Sequence, residues 1–127
     1  MGHVIEKRDG FFEVRLFDDV SKFELLLIIV GLSIKDPGKK YPDLWVIGPE
    51  VQVPYARFRG ISEAIGYAFD KPPAARRTAL VAADEFQRTQ CELYRLEAAA
   101  LPLEIRVFLS YEDAVAWVKS PEVPPST

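Results

Sequence analysis

The sequence predicts an α/β fold, with a mostly parallel sheet of about five strands covered by about four helices. Two observations lead to this class. Strand patterns and helix patterns alternate along most of the 127 residues, an order that sets parallel strands side by side with helices on the sheet faces. Ser21, Asp84 and Ser110 each follow a strand pattern, and an acidic residue or glutamine stands three positions later. That spacing is typical of a capping box at a helix start.

The strand patterns differ between the ends and the middle of the chain. Residues 11–17 alternate apolar and charged side chains, as a half-buried strand does, and the residues before Gly10 are predicted to pair with them as a hairpin. Residues 44–47 and 79–83 are short unbroken apolar runs, which are typical of interior strands covered on both faces. Residues 103–109 alternate again, so we place them nearer an edge of the sheet.

The first predicted helix, residues 21–34, is apolar on every side. A helix that covers a sheet normally keeps a polar outer face, so this pattern has three explanations. Neighbouring helices cover it, or part of the run is really a β-strand at Ile28-Ile29-Val30, or its outer side is an interface or the wall of an apolar ligand site. The candidate interface residues are Leu25, Leu27, Ile28 and Ile29.

The other predicted helices carry one apolar stripe each. The helix over residues 55–69 contains Gly60 and Gly66, which each cost about 1 kcal/mol relative to alanine, so we expect it to be broken or to move as a lid. In the helix after Asp84 the packing face is predicted to consist of Phe86, Thr89, Leu93, Leu96 and Ala100. The last helix is predicted to bury Ala114, Trp117 and Val118.

The composition is that of one globular domain. Hydrophobic residues make up 49% of the chain, charged residues 28%, and the formal net charge is −3, which disfavours nucleic acid as a partner. We assign residues 1–119 to a single domain and expect the proline-rich residues 120–127 to be disordered. The chain has one cysteine, and charged residues at 6–9 interrupt any secretory signal. We therefore expect a cytoplasmic protein with at most peripheral membrane contact.

The second half of the chain carries a pattern that resembles a known family. Residues 77–82 read Arg-Thr-Ala-Leu-Val-Ala, residues 105–108 read Ile-Arg-Val-Phe, and residues 111–118 read Tyr-Glu-Asp-Ala-Val-Ala-Trp-Val. This pattern resembles the SpoIIAA-like proteins, which share the STAS fold of bacterial anti-sigma-factor antagonists and are similar in shape to the CRAL-TRIO lipid-transfer fold. The clear match covers residues 77–118. The resemblance implies this fold for a stand-alone bacterial protein without an assigned biochemical activity.

One functional residue of the antagonists has no counterpart in this chain. Antagonists of the sporulation type carry a phosphorylatable serine in an Asp-Ser-Ser turn after the central strand. Residues 48–61 contain no serine or threonine here, and Ser62 lies inside the predicted helix. The resemblance therefore does not carry the phosphorylation switch to this protein.

Few residues are available for catalysis, metal binding or anion binding. A nucleophile would depend on His3, near the terminus, or on Cys91, in mid-helix instead of at a helix start that would lower its pKa. The carboxylates at strand ends fit capping better than a metal site. An anion clamp would need the arginines at 57 and 59 to converge with those at 76 and 77, and their spacing does not require it. We predict no enzyme activity, no metal and no cofactor.

These observations predict a non-catalytic binding or regulatory domain. Its partner is another protein or a second copy of the chain, with a homodimer as the favoured state. The alternative is a carrier or sensor of an apolar, lipid-like ligand with peripheral membrane association. The candidate ligand site lies between the sheet and the helix over residues 55–69 and consists of Trp45, Tyr55, Phe58, Ile61 and Ile65. Core packing is the competing explanation for Trp45 and Phe58.

Overall fold

The computed structural model of the chain describes residues 2–36, 41–61, 63, 76–100 and 103–120. The strands are β1 (His3–Arg8), β2 (Phe11–Leu16), β3 (Asp43–Ile47), β4 (Arg76–Val81) and β5 (Leu103–Phe108). The helices are α1 (Lys22–Lys35), α2 (Tyr55–Phe58), α3 (Glu85–Glu97) and α4 (Tyr111–Lys119), and a 3-10 turn at Ala98–Ala100 follows α3.

The five strands form one sheet in chain order, from β1 at one edge to β5 at the other. β1 and β2 are antiparallel, and Gly10 in their connection adopts φ 88°, a left-handed conformation that glycine accepts without steric cost. The pairs β2–β3, β3–β4 and β4–β5 are all parallel. The predicted hairpin, the interior position of β3 and β4 and the edge position of β5 are confirmed.

The three predicted helix starts are confirmed. The side chains of Ser21, Asp84 and Ser110 each accept a hydrogen bond from the backbone N–H three residues later. α1 is helical over its whole length, so the β-strand alternative for residues 28–30 is wrong. Local capping therefore sets where three of the four described helices begin.

The core has one cluster on each face of the sheet. The larger cluster lies under α1, α2 and α3 and includes Val14, Ile28, Trp45, Phe58 and Cys91. The smaller cluster lies under α4 and joins Leu44 and Ala79 of the sheet to Ala114 and Val118, with Trp117 partly buried beside them. Both faces of β3 and β4 are thus covered, which explains their unbroken apolar sequences.

The helix predicted over residues 55–69 is interrupted. α2 ends at Phe58, Gly60 adopts φ 88°, and Ile61 and Glu63 are helical again. The expected weakness at Gly60 therefore corresponds to a break in the helix. Residues 62 and 64–69, with Gly66 and Ile65 among them, lie outside the described residues, and so does most of the predicted lid.

α3 packs with a different face from the predicted one. The residues expected to pack are at the surface: Phe86, Thr89, Leu93 and Leu96 are all exposed, while the side chain of Ala100 lies outside the described residues. The buried residues of α3 are Gln87 and Cys91, and Ala98, directly after the helix, is buried too. The predicted packing face of this helix is wrong.

Gln87 explains the orientation of α3. Its side-chain oxygen accepts a hydrogen bond from the Ala83 N–H at 2.8 Å, and its amide group donates to the carbonyls of Gly48 and Val51, each at 2.9 Å. Burying a polar side chain costs free energy unless its polar groups are hydrogen-bonded. The three hydrogen bonds of Gln87 to backbone groups offset this cost. This side chain can face inward although the more apolar stripe of the helix faces out.

Candidate functional site

The outer face of α1 carries four exposed apolar side chains, which we call the α1 stripe. Its members are Phe23, Leu27, Val30 and Ile34, with exposed fractions of 71%, 45%, 46% and 74%. They follow one another at alternating spacings of four and three residues, which keeps them on one side of the helix. The opposite side, with Ile28 and Leu32, is buried against the sheet. α1 is therefore apolar on both sides.

Charged groups are confined to the ends of α1. Lys22 and Glu24 lie in its first turn and Lys35 is its last residue. Glu24 accepts a hydrogen bond from the Gly2 N–H at 3.1 Å and contacts His3 Nδ1 at 2.6 Å. The hydrogen bond with His3 lowers the pKa of the Glu24 carboxyl. The Glu24 carboxylate therefore holds the start of β1 against α1. The α1 stripe itself contains no charged residue.

The predicted interface residues fall on different sides of α1. Leu27 belongs to the α1 stripe, Ile28 is buried in the larger core, and Leu25 and Ile29 are half-buried against it. The other three stripe residues were not predicted, because periodicity cannot select the outer face of a helix that is apolar all round.

The described residues of the predicted ligand site lie within the fold. Trp45, Phe58 and Ile61 are buried, and Tyr55 is half-buried. The Tyr94 ring lies 5.5 Å from the Tyr55 ring and 6.1 Å from the Phe58 ring, measured between centroids. The indole N–H of Trp45 donates to Asp43 Oδ2 at 2.7 Å. These contacts are those of packed core aromatics.

Side chains of α3 hold the segment around α2. Gln90 accepts from the Tyr55 N–H at 2.6 Å, the Tyr94 hydroxyl donates to the Pro54 carbonyl at 3.2 Å, and Glu97 Oε1 accepts from the Gly60 N–H at 2.7 Å. The other oxygen of Glu97 is buried without a hydrogen-bond partner in the described structure. Since the acceptor of the Gly60 N–H belongs to α3, this helix stabilises the break after α2.

A polar cluster that was not predicted surrounds Glu13 on the α4 side of the sheet. Glu13 is 1% exposed, and its Oε2 accepts hydrogen bonds from Arg8 Nη2 at 3.1 Å and from Arg15 Nε at 2.7 Å. The Tyr111 hydroxyl donates to Oε1. Burial would raise the pKa of the Glu13 carboxyl, but these three hydrogen bonds outweigh it, and the pKa is lowered. The alternation in residues 11–17 predicts that Glu13 faces solvent. Sequence periodicity does not reveal the ion pairs that allow this carboxylate to be buried.

Cys91, a candidate nucleophile, is buried, and Arg77, a candidate anion-binding group, is hydrogen-bonded within the fold. Burial, with a smaller effect of the Glu92 charge, raises the pKa of the Cys91 thiol to about 12. Arg77 Nη1 donates to the carbonyls of Trp117 and Ser120 and so caps the end of α4.

In the described part of the chain no three acidic, histidine or cysteine side chains are placed to hold a metal ion. Over the same residues, no helix has the length and apolar content needed to cross a bilayer.

The comparisons with known proteins identify the fold. No protein-family model matches the chain, and no curated protein matches it. Among solved structures, it is similar to the crystal structure of an uncharacterized protein of the DUF3478 family from Shewanella loihica PV-4, which has a SpoIIAA-like fold. The two chains are 17% identical, the similarity covers 91% of each, and the TM-score is 0.57. At this identity the likeness concerns the fold alone, and this chain has a SpoIIAA-like fold.

Proposed function

We propose that this protein is a non-catalytic binding domain that forms a homodimer through the α1 stripe. The observation that supports this function is the exposure of four large apolar side chains in one row on a helix whose other side is already buried. Exposed apolar surface of this kind, without charges inside it, is typical of protein interfaces.

The energy available from the stripe fits a reversible dimer. Fully burying one large apolar side chain contributes about 1.5–3 kcal/mol, and the stripe residues are only partly exposed before association. Two stripes together therefore provide on the order of 6–12 kcal/mol, against a cost of about 4–15 kcal/mol for joining two molecules. The largest surplus is about 8 kcal/mol, which corresponds to a dissociation constant of about 1 μM. We therefore expect association at micromolar or higher concentrations, not an obligate dimer.

The spacing of the stripe favours two α1 helices packed side by side, and the helix dipoles favour an antiparallel arrangement of the two. Alternating spacings of four and three residues are those of the contact seam in coiled coils, and a two-fold axis brings the same surface of each copy together. Antiparallel packing opposes the two helix dipoles. It sets Leu27 against Val30 of the second copy near the axis and Phe23 against Ile34 at the ends.

Two observations favour a second copy over a lipid surface. Helices that bind the membrane interface usually carry many lysines and arginines beside their apolar face, whereas α1 has two lysines, one at each end. The net charge of the chain is −3, and anionic lipid headgroups repel such a protein. The α1 stripe is apolar and uncharged and belongs to an acidic protein. It therefore fits the same stripe on a second copy better than an anionic lipid surface.

Sedimentation equilibrium between about 1 and 500 μM tests the proposal. We expect the wild type to shift from monomer to dimer over this range and Leu27→Glu to remain a monomer, because it places a charge in the seam. Leu96→Glu is the matched control, since it changes an exposed leucine on α3, and it should dimerise like the wild type.

Two results would contradict the homodimer. One is a wild-type monomer at every concentration, and the other is an equal loss of dimer in Leu27→Glu and Leu96→Glu. Sedimentation with vesicles of phosphatidylcholine and phosphatidylglycerol is a second measurement. A monomer that binds these vesicles through Leu27 would support the lipid alternative instead.

A further inference from the structure

The α4 side of the sheet is covered unevenly. α4 packs on β3, β4 and β5, while the same side of β1 and β2 keeps exposed side chains in the described structure: Val4 by 41%, Glu6 by 46%, Arg8 by 42%, Arg15 by 46% and, directly after β2, Phe17 by 56%. This surface lies on the opposite side of the sheet from the α1 stripe, so it is independent of the proposed dimer.

Arg15 is held in position by a buried carboxylate and a half-buried tyrosine. Its Nε donates to Glu13 Oε2 at 2.7 Å, and its guanidinium carbon lies 5.7 Å from the centre of the Tyr111 ring. Glu13 is itself fixed by the Tyr111 hydroxyl and by Arg8. A guanidinium that is oriented by a buried carboxylate and an aromatic face loses little conformational entropy when it binds a further partner.

The outer edge of this guanidinium is available. Arg15 Nη1 and Nη2 donate no hydrogen bond to any described residue, and Glu6 pairs with Arg8 at 2.8 Å instead of with Arg15. Two parallel N–H groups on a planar fork match the two oxygens of a carboxylate. Arg15 can therefore receive a second carboxylate while Nε stays bound to Glu13.

Apolar side chains stand on both sides of Arg15. Val4 is its partner in the β1–β2 register, and the Phe17 N–H donates to the Gly2 carbonyl at 2.9 Å, which extends the pairing beyond Leu16. Because alternate residues of a strand share a face, Phe17 lies on the same side as Arg15. An arginine beside an exposed aromatic ring is the composition of binding hot spots.

We propose that Val4, Arg15 and Phe17 form a docking surface for an acidic segment of a partner protein, which places one carboxylate on the free edge of Arg15. The apolar neighbours favour a peptide whose carboxylate is flanked by apolar side chains over a free anion. The charge of the guanidinium selects the carboxylate, and the planar fork sets its orientation.

The probe for this surface is the peptide acetyl-Leu-Glu-Leu-amide, followed by NMR at about 0.15 M salt, where exposed charges are screened beyond roughly 8 Å. We expect saturable shifts of the Arg15 Nε–H signal and of the Val4 and Phe17 amides. The neutral peptide acetyl-Leu-Gln-Leu-amide should bind at least about tenfold more weakly, because it lacks the carboxylate.

Three variants separate recognition from folding. Arg15→Lys keeps the positive charge but loses the planar fork, so affinity for the acidic peptide should fall about fivefold or more. Phe17→Ser leaves the Glu13 cluster intact and should also weaken binding. Arg88→Gln, which removes the positive charge of an exposed arginine on α3, is the control for a general effect of charge and should bind like the wild type.

The proposal is overturned if the two peptides bind equally, if Arg15→Lys binds like the wild type, or if Arg88→Gln weakens binding as much as Arg15→Lys does. Equal shifts with inorganic phosphate alone would also overturn it, because they would show a simple anion site without peptide recognition. None of these results depends on whether α1 dimerises.

Discussion

At the scale of single residues, the Glu13 cluster connects the hairpin to α4. The carboxylate belongs to β2, while Arg8 belongs to β1 and Tyr111 to the first turn of α4. Removing one partner of a buried carboxylate strongly destabilises the folded protein, because the buried charge is left without compensation. This one side chain therefore ties three elements together.

The lowered pKa of Glu13 predicts a specific dependence of stability on pH. Its pKa in the folded state lies below its unfolded value of about 4.3. The stabilisation is therefore fully present above that value and is lost as the pH falls through the folded-state pKa. We expect Glu13→Gln to lower the free energy of unfolding by about 2 kcal/mol at pH 7 and by less at pH 3.

Urea unfolding of both proteins at pH 7 and pH 3 checks this prediction. Glu50→Gln, which changes an exposed carboxylate, should stay within about 0.5 kcal/mol of the wild type at both pH values. A difference between wild type and Glu13→Gln that stays constant or grows on acidification would show that Glu13 is not held ionised by its neighbours.

At the scale of elements, the helix starts could be predicted and the helix faces could not. Ser21, Asp84 and Ser110 act within four residues of chain, so their effect is visible in the sequence. The direction in which α3 faces depends on Gln87, which bonds to the carbonyls of Gly48 and Val51 far away in the chain. Such tertiary hydrogen bonds leave no local signal.

Gln87→Ala tests this explanation of α3. The change removes the bonds to the Ala83 N–H and to two carbonyls, which remain partly buried, so we expect the free energy of unfolding to fall by about 2–4 kcal/mol. Thr89→Ala, an exposed position on the same helix, should change it by about 0.5 kcal/mol or less. Thermal or urea unfolding gives both values, and equal effects would contradict a special role for Gln87.

The candidate sites were predicted less completely than the fold. The sequence predicts that another surface covers α1 and assigns both Leu27 and Ile28 to that interface. Leu27 is exposed, but Ile28 is buried in the molecule's own core. Trp45 and Phe58 are core residues, which agrees with core packing, the alternative explanation for these two side chains. The position of Arg15 depends on its contacts with Glu13 and Tyr111, and the second of these comes from the opposite end of the chain.

At the scale of the whole molecule, the SpoIIAA-like sheet separates two exposed surfaces. The α1 stripe lies above one face, and the surface around Arg15 lies on the other face near the same edge strand. One surface is apolar and uncharged, and the other presents a fixed positive group. A dimer formed through α1 would therefore leave both copies of the Arg15 surface open to partners.

Cross-linking of single-cysteine variants tests the antiparallel α1 dimer most directly. The native Cys91 is buried and its pKa is raised to about 12, so it should not react. With an axial rise of about 1.5 Å per residue, two copies of Val30→Cys lie about 5 Å apart along the helix axis, and two copies of Ile34→Cys lie about 17 Å apart. A short bismaleimide should join Val30→Cys to itself and Phe23→Cys to Ile34→Cys in a mixture, but not Ile34→Cys to itself. Absence of cross-linking in Val30→Cys, or equal cross-linking of Ile34→Cys alone, would contradict the account.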